Sequence, residues 1–144
     1  MGERLEVVLT NDVAELQRLA DMVDAFVEDN GLPMDVAFRL NLCFDELITN
    51  TVSYGYPDGG AHAIRVRLEA RKEADRGAIH AEVEDDAAPY DPFTEAPPPD
   101  LSADVEERRV GGLGVFLVKR SVDRATYRRE GGRNLVHLTL TARP

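Results

Sequence analysis

Glu46 and Asn50, four residues apart, are the first residues in this 144-residue chain whose types and spacing could do chemistry. On a helix that spacing projects both side chains from one face, one turn above the other. A carboxylate and a carboxamide stacked this way can meet a hydrated magnesium ion or the hydroxyl of a substrate. Mg²⁺ takes oxygen ligands and keeps several waters, so one or two protein oxygens suffice where phosphates supply the rest. The same pair also fits an ordinary solvated helix surface, and only the rest of the chain decides between the two.

The stretch that carries the pair, Asn41 to Tyr56, has a second face. Leu40, Cys43, Phe44, Leu47 and Ile48 recur at three- and four-residue spacing and form an apolar stripe. The helix is expected to begin at Pro33, which suits a first turn, and to run to about Val52. The turn Pro57-Asp58-Gly59-Gly60 follows.

Around this helix the chain reads as one domain, residues 1–144, large enough to bury roughly two thirds of its unfolded surface. Seventeen Lys and Arg against 27 Asp and Glu give a net charge of −10. That excess argues against direct binding of nucleic acid or an anionic membrane, which needs basic patches to neutralise phosphates. A local phosphate site remains possible if backbone N–H groups or a metal supply the positive charge. The single cysteine, Cys43, lies on the apolar stripe and reads as a buried inert thiol, with no disulfide possible within the chain. Met1 to Leu5 is too polar to open a signal peptide, and no apolar run approaches membrane-spanning length, so the expected location is the cytoplasm.

The remaining elements follow from periodicity. Arg4 to Thr10 reads as a first strand, and Thr10 or Asn11 is expected to cap the helix that follows. Its apolar positions Val13, Leu16, Leu19, Val23, Phe26 and Val27 keep a helical period until Asn30-Gly31. Ile64, Val66 and Leu68 alternate with charged residues, as do Ile79, Ala81 and Val83 up to Asp85, which predicts a hairpin turning at Glu73 to Gly77. From Asp86 to Val110 the density of proline forbids regular helix or central strand, and a loop this long is often a lid or binding loop. Gly111-Gly112-Leu113-Gly114 then opens a helix ending near Val122-Asp123; closely spaced glycines there let backbone amides point at an anion. Two last strands, Arg124 to Arg129 and Leu135 to Thr141, are joined across a Gly-Gly turn. His62, His80 and His137 lie in strand-like runs and read as ordinary sheet histidines. The order β-α-α-β-β-loop-α-β-β predicts an α+β fold, a mixed or antiparallel sheet with its helices on one face.

Three stretches in this order resemble the GHKL ATPase superfamily. Asp45-Glu46-Leu47-Ile48-Thr49-Asn50 is similar to its N box. Glu84-Asp85-Asp86-Ala87-Ala88-Pro89-Tyr90-Asp91-Pro92 resembles its first glycine box in a proline-rich variant, and Gly111-Gly112-Leu113-Gly114 its second. The subgroup resembled is the bacterial anti-sigma-factor serine/threonine kinases, over Arg4 to Thr141. The resemblance implies the Bergerat fold, a two-layer α/β sandwich that binds ATP and Mg²⁺. It implies Glu46 as the base that activates a serine hydroxyl, and Asn50 as the Mg²⁺ ligand. It further implies Asp85 as acceptor for the adenine amino group, Ala87, Gly112, Leu113 and Gly114 against the nucleotide, and residues 87–110 as the lid. The implied partners are a sigma factor and a phosphorylatable antagonist protein, with the chain a homodimer.

One position departs from the pattern. Where the family has glycine two residues after the adenine aspartate, this chain has Ala87. If that backbone needs a positive φ, alanine costs on the order of 1 kcal/mol; if glycine serves close approach, a methyl group presses on the nucleotide. Ala87 therefore keeps a second function open, a partner-binding module of the same fold with weak or unused nucleotide binding. In the lid, Arg108 and Arg109 either help hold phosphates or balance Glu106 and Glu107. A sensor histidine kinase domain is set aside unless the chain is cut from a longer protein, since these 144 residues leave no room for a dimerisation helix pair bearing the phospho-accepting histidine.

Overall fold

The computed structural model describes residues 3–73, 76–95 and 112–143. Nine elements follow in chain order: β1 (Arg4–Thr10), α1 (Glu15–Asp29), α2 (Met34–Tyr54), β2 (Ala63–Glu73), β3 (Arg76–Asp85), α3 (Pro92–Glu95), α4 (Gly112–Ser121), β4 (Arg124–Glu130) and β5 (Arg133–Thr141). The strands form one sheet in the order β1-β2-β3-β5-β4. The expectation left room for a mixed sheet; every pairing is antiparallel.

The alternation read in the sequence becomes two unlike sheet faces. Val7, Leu9, Ile64, Val66, Leu68, Ala81, Val83, Leu138 and Leu140 bury against Leu19, Val23 and Val27 of α1, Leu40, Phe44 and Ile48 of α2, and Val118 of α4. The other face carries ion pairs. Arg67 donates through Nη1 to Glu82 and Glu84, both at 3.0 Å, and through Nε to Glu6 at 3.1 Å. Cys43 is fully buried, and burial pushes its thiol up to about 12, so it is inert at neutral pH. No helix among the described residues is long and apolar enough to cross a membrane.

Several local expectations are corrected. Neither Thr10 nor Asn11 caps α1. The Ala14 N–H donates to Asp12 Oδ1 at 2.9 Å, while Asn11 bonds the Gly60 carbonyl and the His62 N–H, tying β1 to the start of β2. The proline-rich stretch does contain helix: α3 is a single turn with Pro92 at its first position, where a missing N–H costs nothing. Asp91 supports it by accepting from the Phe93 N–H at 2.9 Å. His62 precedes β2 rather than lying in a strand. The Gly-Gly turn is as expected: Gly131 (φ 58°) and Gly132 (φ 76°) take the left-handed conformation that a two-residue hairpin loop asks of both positions. The β2–β3 turn falls partly, and the segment 96–111 wholly, outside the described residues; the latter takes in most of the expected lid, Arg108, Arg109 and Gly111.

One buried charge joins the layers. Arg39, 3 % exposed, donates to the Ser121 carbonyl at the end of α4 (3.0 Å) and to the Thr141 carbonyl at the end of β5 (2.6 Å), while Asp35 accepts from its Nε at 2.9 Å. Removing the guanidinium strands two carbonyls, each worth about 1–3 kcal/mol when left buried without a donor. Arg39→Met is therefore expected to lose about 2–4 kcal/mol in urea unfolding followed by circular dichroism. Arg39→Lys should recover only part, since one ammonium cannot reach all three acceptors in the fork geometry.

Candidate functional site

The apolar stripe of α2 lies on the sheet and sets the helix's rotation, which leaves Glu46 and Asn50 half-buried along one edge. From there the two diverge. Asn50 lines a cavity of about 390 Å³ between α2, the end of β3 and the start of β5, together with Leu47, Val83 and Val136 on its apolar side. Glu46 does not line that cavity. Its carboxylate lies against the first turn of α4, so close that a Cβ at Gly114 would stand 1.9 Å from Oε2. A side chain at 114 would have to displace the Glu46 carboxylate, so glycine there leaves that carboxylate its place. Gly112 and Leu113 stand in the same first turn.

Asp85, the last residue of β3, is 5 % exposed and lines the cavity. Burial raises its pKa above the usual carboxylate range, opposed by hydrogen bonds that favour the ionised form. Oδ1 accepts from Asn134 Nδ2 at 2.9 Å and from the Ala87 N–H at 3.0 Å. Oδ2 has one long bond, from Thr51 Oγ1 at 3.5 Å. The carboxylate is therefore held by one oxygen and offers the other to a donor. An apolar slot with one oriented acceptor suits a flat heteroaromatic ring bearing an amino group.

Ala87 lines the same cavity, with its methyl group packed on the end of α2. It is 4 % exposed, and a Cβ at Gly55 would come within 2.7 Å of its Cβ. The Ala88 N–H donates to the Gly55 carbonyl at 3.0 Å, fixing the approach. The glycine that gives room here is Gly55.

Sequence reasoning missed Asn134. It is 6 % exposed, and its amide is saturated: Nδ2 reaches Asp85 and the Ala87 and Ala88 carbonyls, at 3.3 and 3.0 Å for the last two. Its Oδ1 accepts from Tyr127 Oη at 2.6 Å and Arg129 Nη1 at 3.1 Å. Asn134 falls in the connection expected between the last two strands, where an asparagine is ordinary, so no local signal marked it. Thr51, Tyr54 and Tyr90 also line the cavity and were passed over, the tyrosines 75 % and 42 % exposed at its edge.

Beside Asp85 sits a charged clasp. His62 stacks on Tyr56 with ring centroids 4.2 Å apart, and its Nδ1 and Nε2 lie 3.2 and 3.1 Å from carboxylate oxygens of Asp86 and Asp58. The hydrogen bond to Asp86, then that to Asp58, raises its pKa. A histidine raised on folding stabilises most below its unfolded value of about 6.5, and loses that contribution as pH rises through the folded value. His62→Gln should therefore lower the melting temperature at pH 6, and the gap to the parent should close by pH 9. A gap of constant size across that range would show that the imidazolium charge contributes nothing.

Comparison with known proteins bears on the family and the fold. Residues 9–140 match the family model described as histidine kinase-like ATPase domain. A relative from Bordetella bronchiseptica, the serine/threonine-protein kinase BtrW, is 36 % identical over 106 residues, 73 % of this chain and 69 % of that protein. The crystal structure of the RsbU and RsbW domains of Rv1364c from Mycobacterium tuberculosis superposes with a TM-score of 0.63 at 16 % identity, covering 99 % of this chain. This chain spans only 33 % of that one, and the likeness is one of fold. The chain belongs to the histidine kinase-like ATPase domain family.

Proposed function

We propose that this domain is a Mg-ATP-dependent protein serine/threonine kinase of the anti-sigma type. The observation that carries the nucleotide reading is Asp85, a buried carboxylate with one oxygen fixed by Asn134 and the other left for a donor in an apolar cavity. On this reading Asp85 accepts from the adenine amino group. The Asn50 carboxamide, at the cavity's edge one turn beyond Glu46, ligates Mg²⁺ among the phosphates. Ala87 forms part of the floor, and Gly112, Leu113 and Gly114 present backbone at the helix N-terminus to phosphate.

Bound Mg-ATP supplies the phosphoryl group and neutralises its charge. Glu46 would accept the proton of a serine hydroxyl as that oxygen bonds to the γ-phosphorus of ATP and ADP leaves with the bridging oxygen. Its place on a rigid helix, pressed against Gly114, aims it without a mobile loop. Likeness to a protein named as a serine/threonine kinase supports the choice of acceptor, and the sequence resemblance to anti-sigma-factor kinases supplies the setting. The domain would act as a homodimer in the cytoplasm, switching between a sigma factor and a phosphorylatable antagonist.

Calorimetric titration of ATP with Mg²⁺ tests the site. Binding is expected, weakened at least tenfold by Asp85→Ala and by Asn50→Ala, while Ala87→Gly should change affinity less than about threefold because its methyl faces Gly55. Glu46→Gln should keep nucleotide affinity and lower transfer to a serine-bearing antagonist by about 10²–10⁴. No binding at millimolar ATP would refute the kinase and leave a partner-binding module.

A further inference from the structure

Along the outer face of α2 runs an apolar stripe that none of the described residues covers. Phe38 is 70 % exposed and Met34 51 %, one helical turn apart, and half-buried Leu42 continues the row by another turn. None of the three lines the cavity at Asp85. A phenylalanine this exposed in the second turn of a helix is not covering core, and two large apolar side chains at i and i+4 are the spacing by which helices dock on one another.

The surroundings are acidic. Asp35 follows Met34, and Asp45 lies one turn beyond Leu42 on the same face. On the α1 side Asp24 is held at the border by Asn41, whose Nδ2 donates to it at 3.0 Å. From Glu15 to Tyr54 there are eight carboxylates and two arginines. Both arginines are already engaged, Arg18 with Glu15 and Arg39 with Asp35, each at 2.9 Å. A second copy docked on this face about a two-fold axis would bring like carboxylates together. The field selects a cation.

We propose that the Met34–Phe38–Leu42 face of α2 is a docking surface for a basic amphipathic helix of a partner protein. Apolar residues at i and i+4 of that helix seat on Phe38 and Met34, and its flanking lysines or arginines meet Asp24, Asp35 and Asp45. The surface is separate from the nucleotide site, so it can be tested whether or not ATP binds.

The probe is a labelled synthetic helical peptide with leucines at i and i+4 flanked by lysines, followed by fluorescence anisotropy on the whole chain. Expected are saturable binding that weakens with salt, about a tenfold loss on Phe38→Ser, and a smaller loss on Asp45→Asn. A control peptide of equal composition with its leucines scattered should bind weakly. An unchanged circular dichroism spectrum and melting temperature show that Phe38→Ser still folds. Equal binding of the two peptides, or of parent and Phe38→Ser, overturns the proposal. So does a dimer in sedimentation that Phe38→Ser dissociates, which would give the face to a second copy.

Discussion

A carboxylate buried at the end of a strand is the constraint around which the site is built. Asp85 is removed from water, and an isolated charge there costs several kcal/mol unless donors replace the lost solvent. Two donors take one oxygen, the backbone N–H of its own loop at Ala87 and Asn134 on β5. The Thr51 hydroxyl of α2, which donates to the Leu47 carbonyl at 3.1 Å, lies 3.5 Å from the other. Asn134 faces Asp85 because β5, not β4, is the neighbour of β3, and the register pairs the two residues directly. Tyr127 and Arg129 from β4 then fix the amide that fixes the carboxylate. Four parts of the chain are thus held in register by the demands of one buried charge, and the same charge gives the cavity its one oriented acceptor.

The second organising relation is between α2 and α4. A helix of ten residues is marginal by itself and depends on what holds it. α2 meets α4 at both ends. The Glu46 carboxylate lies at the first turn, and the Arg39 guanidinium bonds the carbonyl of Ser121 at the last. Negative at the N-terminus and positive at the C-terminus is the arrangement the helix dipole favours. The candidate base therefore also helps place the glycine-rich turn, which couples the position of Glu46 to that of the backbone expected to meet phosphate.

What was legible in the sequence was whatever local periodicity or a short motif determines. The alternation of Ile64, Val66 and Leu68, the 3.6-residue stripe of α2 and the Gly131-Gly132 turn each state their structure within a few residues. Residues whose roles are set by long-range pairing were not legible. Asn134 meets Asp85 across 49 positions and Arg39 meets Thr141 across 102, and no local pattern marks either. Arg39 sits on a helix edge like any surface arginine until α4 and β5 close over it. The α1 cap was misread for a similar reason: Asn11 is a good capping residue, but the start of β2 claims its side chain first.

Ala87 shows how a methyl group is accommodated where a loop and a helix end come close. Glycine is needed where two backbones or a backbone and a ligand approach too closely for a Cβ. Here the close approach is between the loop after β3 and the end of α2, and only one of the two facing residues has to be glycine. A Cβ at Gly55 would stand 2.7 Å from that of Ala87 and 2.6 Å from the Thr51 carbonyl, so position 55 cannot accept a side chain without a backbone shift. With Gly55 supplying the room, the methyl at 87 packs as part of the floor. At this contact the residue that has to lack a side chain is Gly55, and the methyl of Ala87 is accommodated against it.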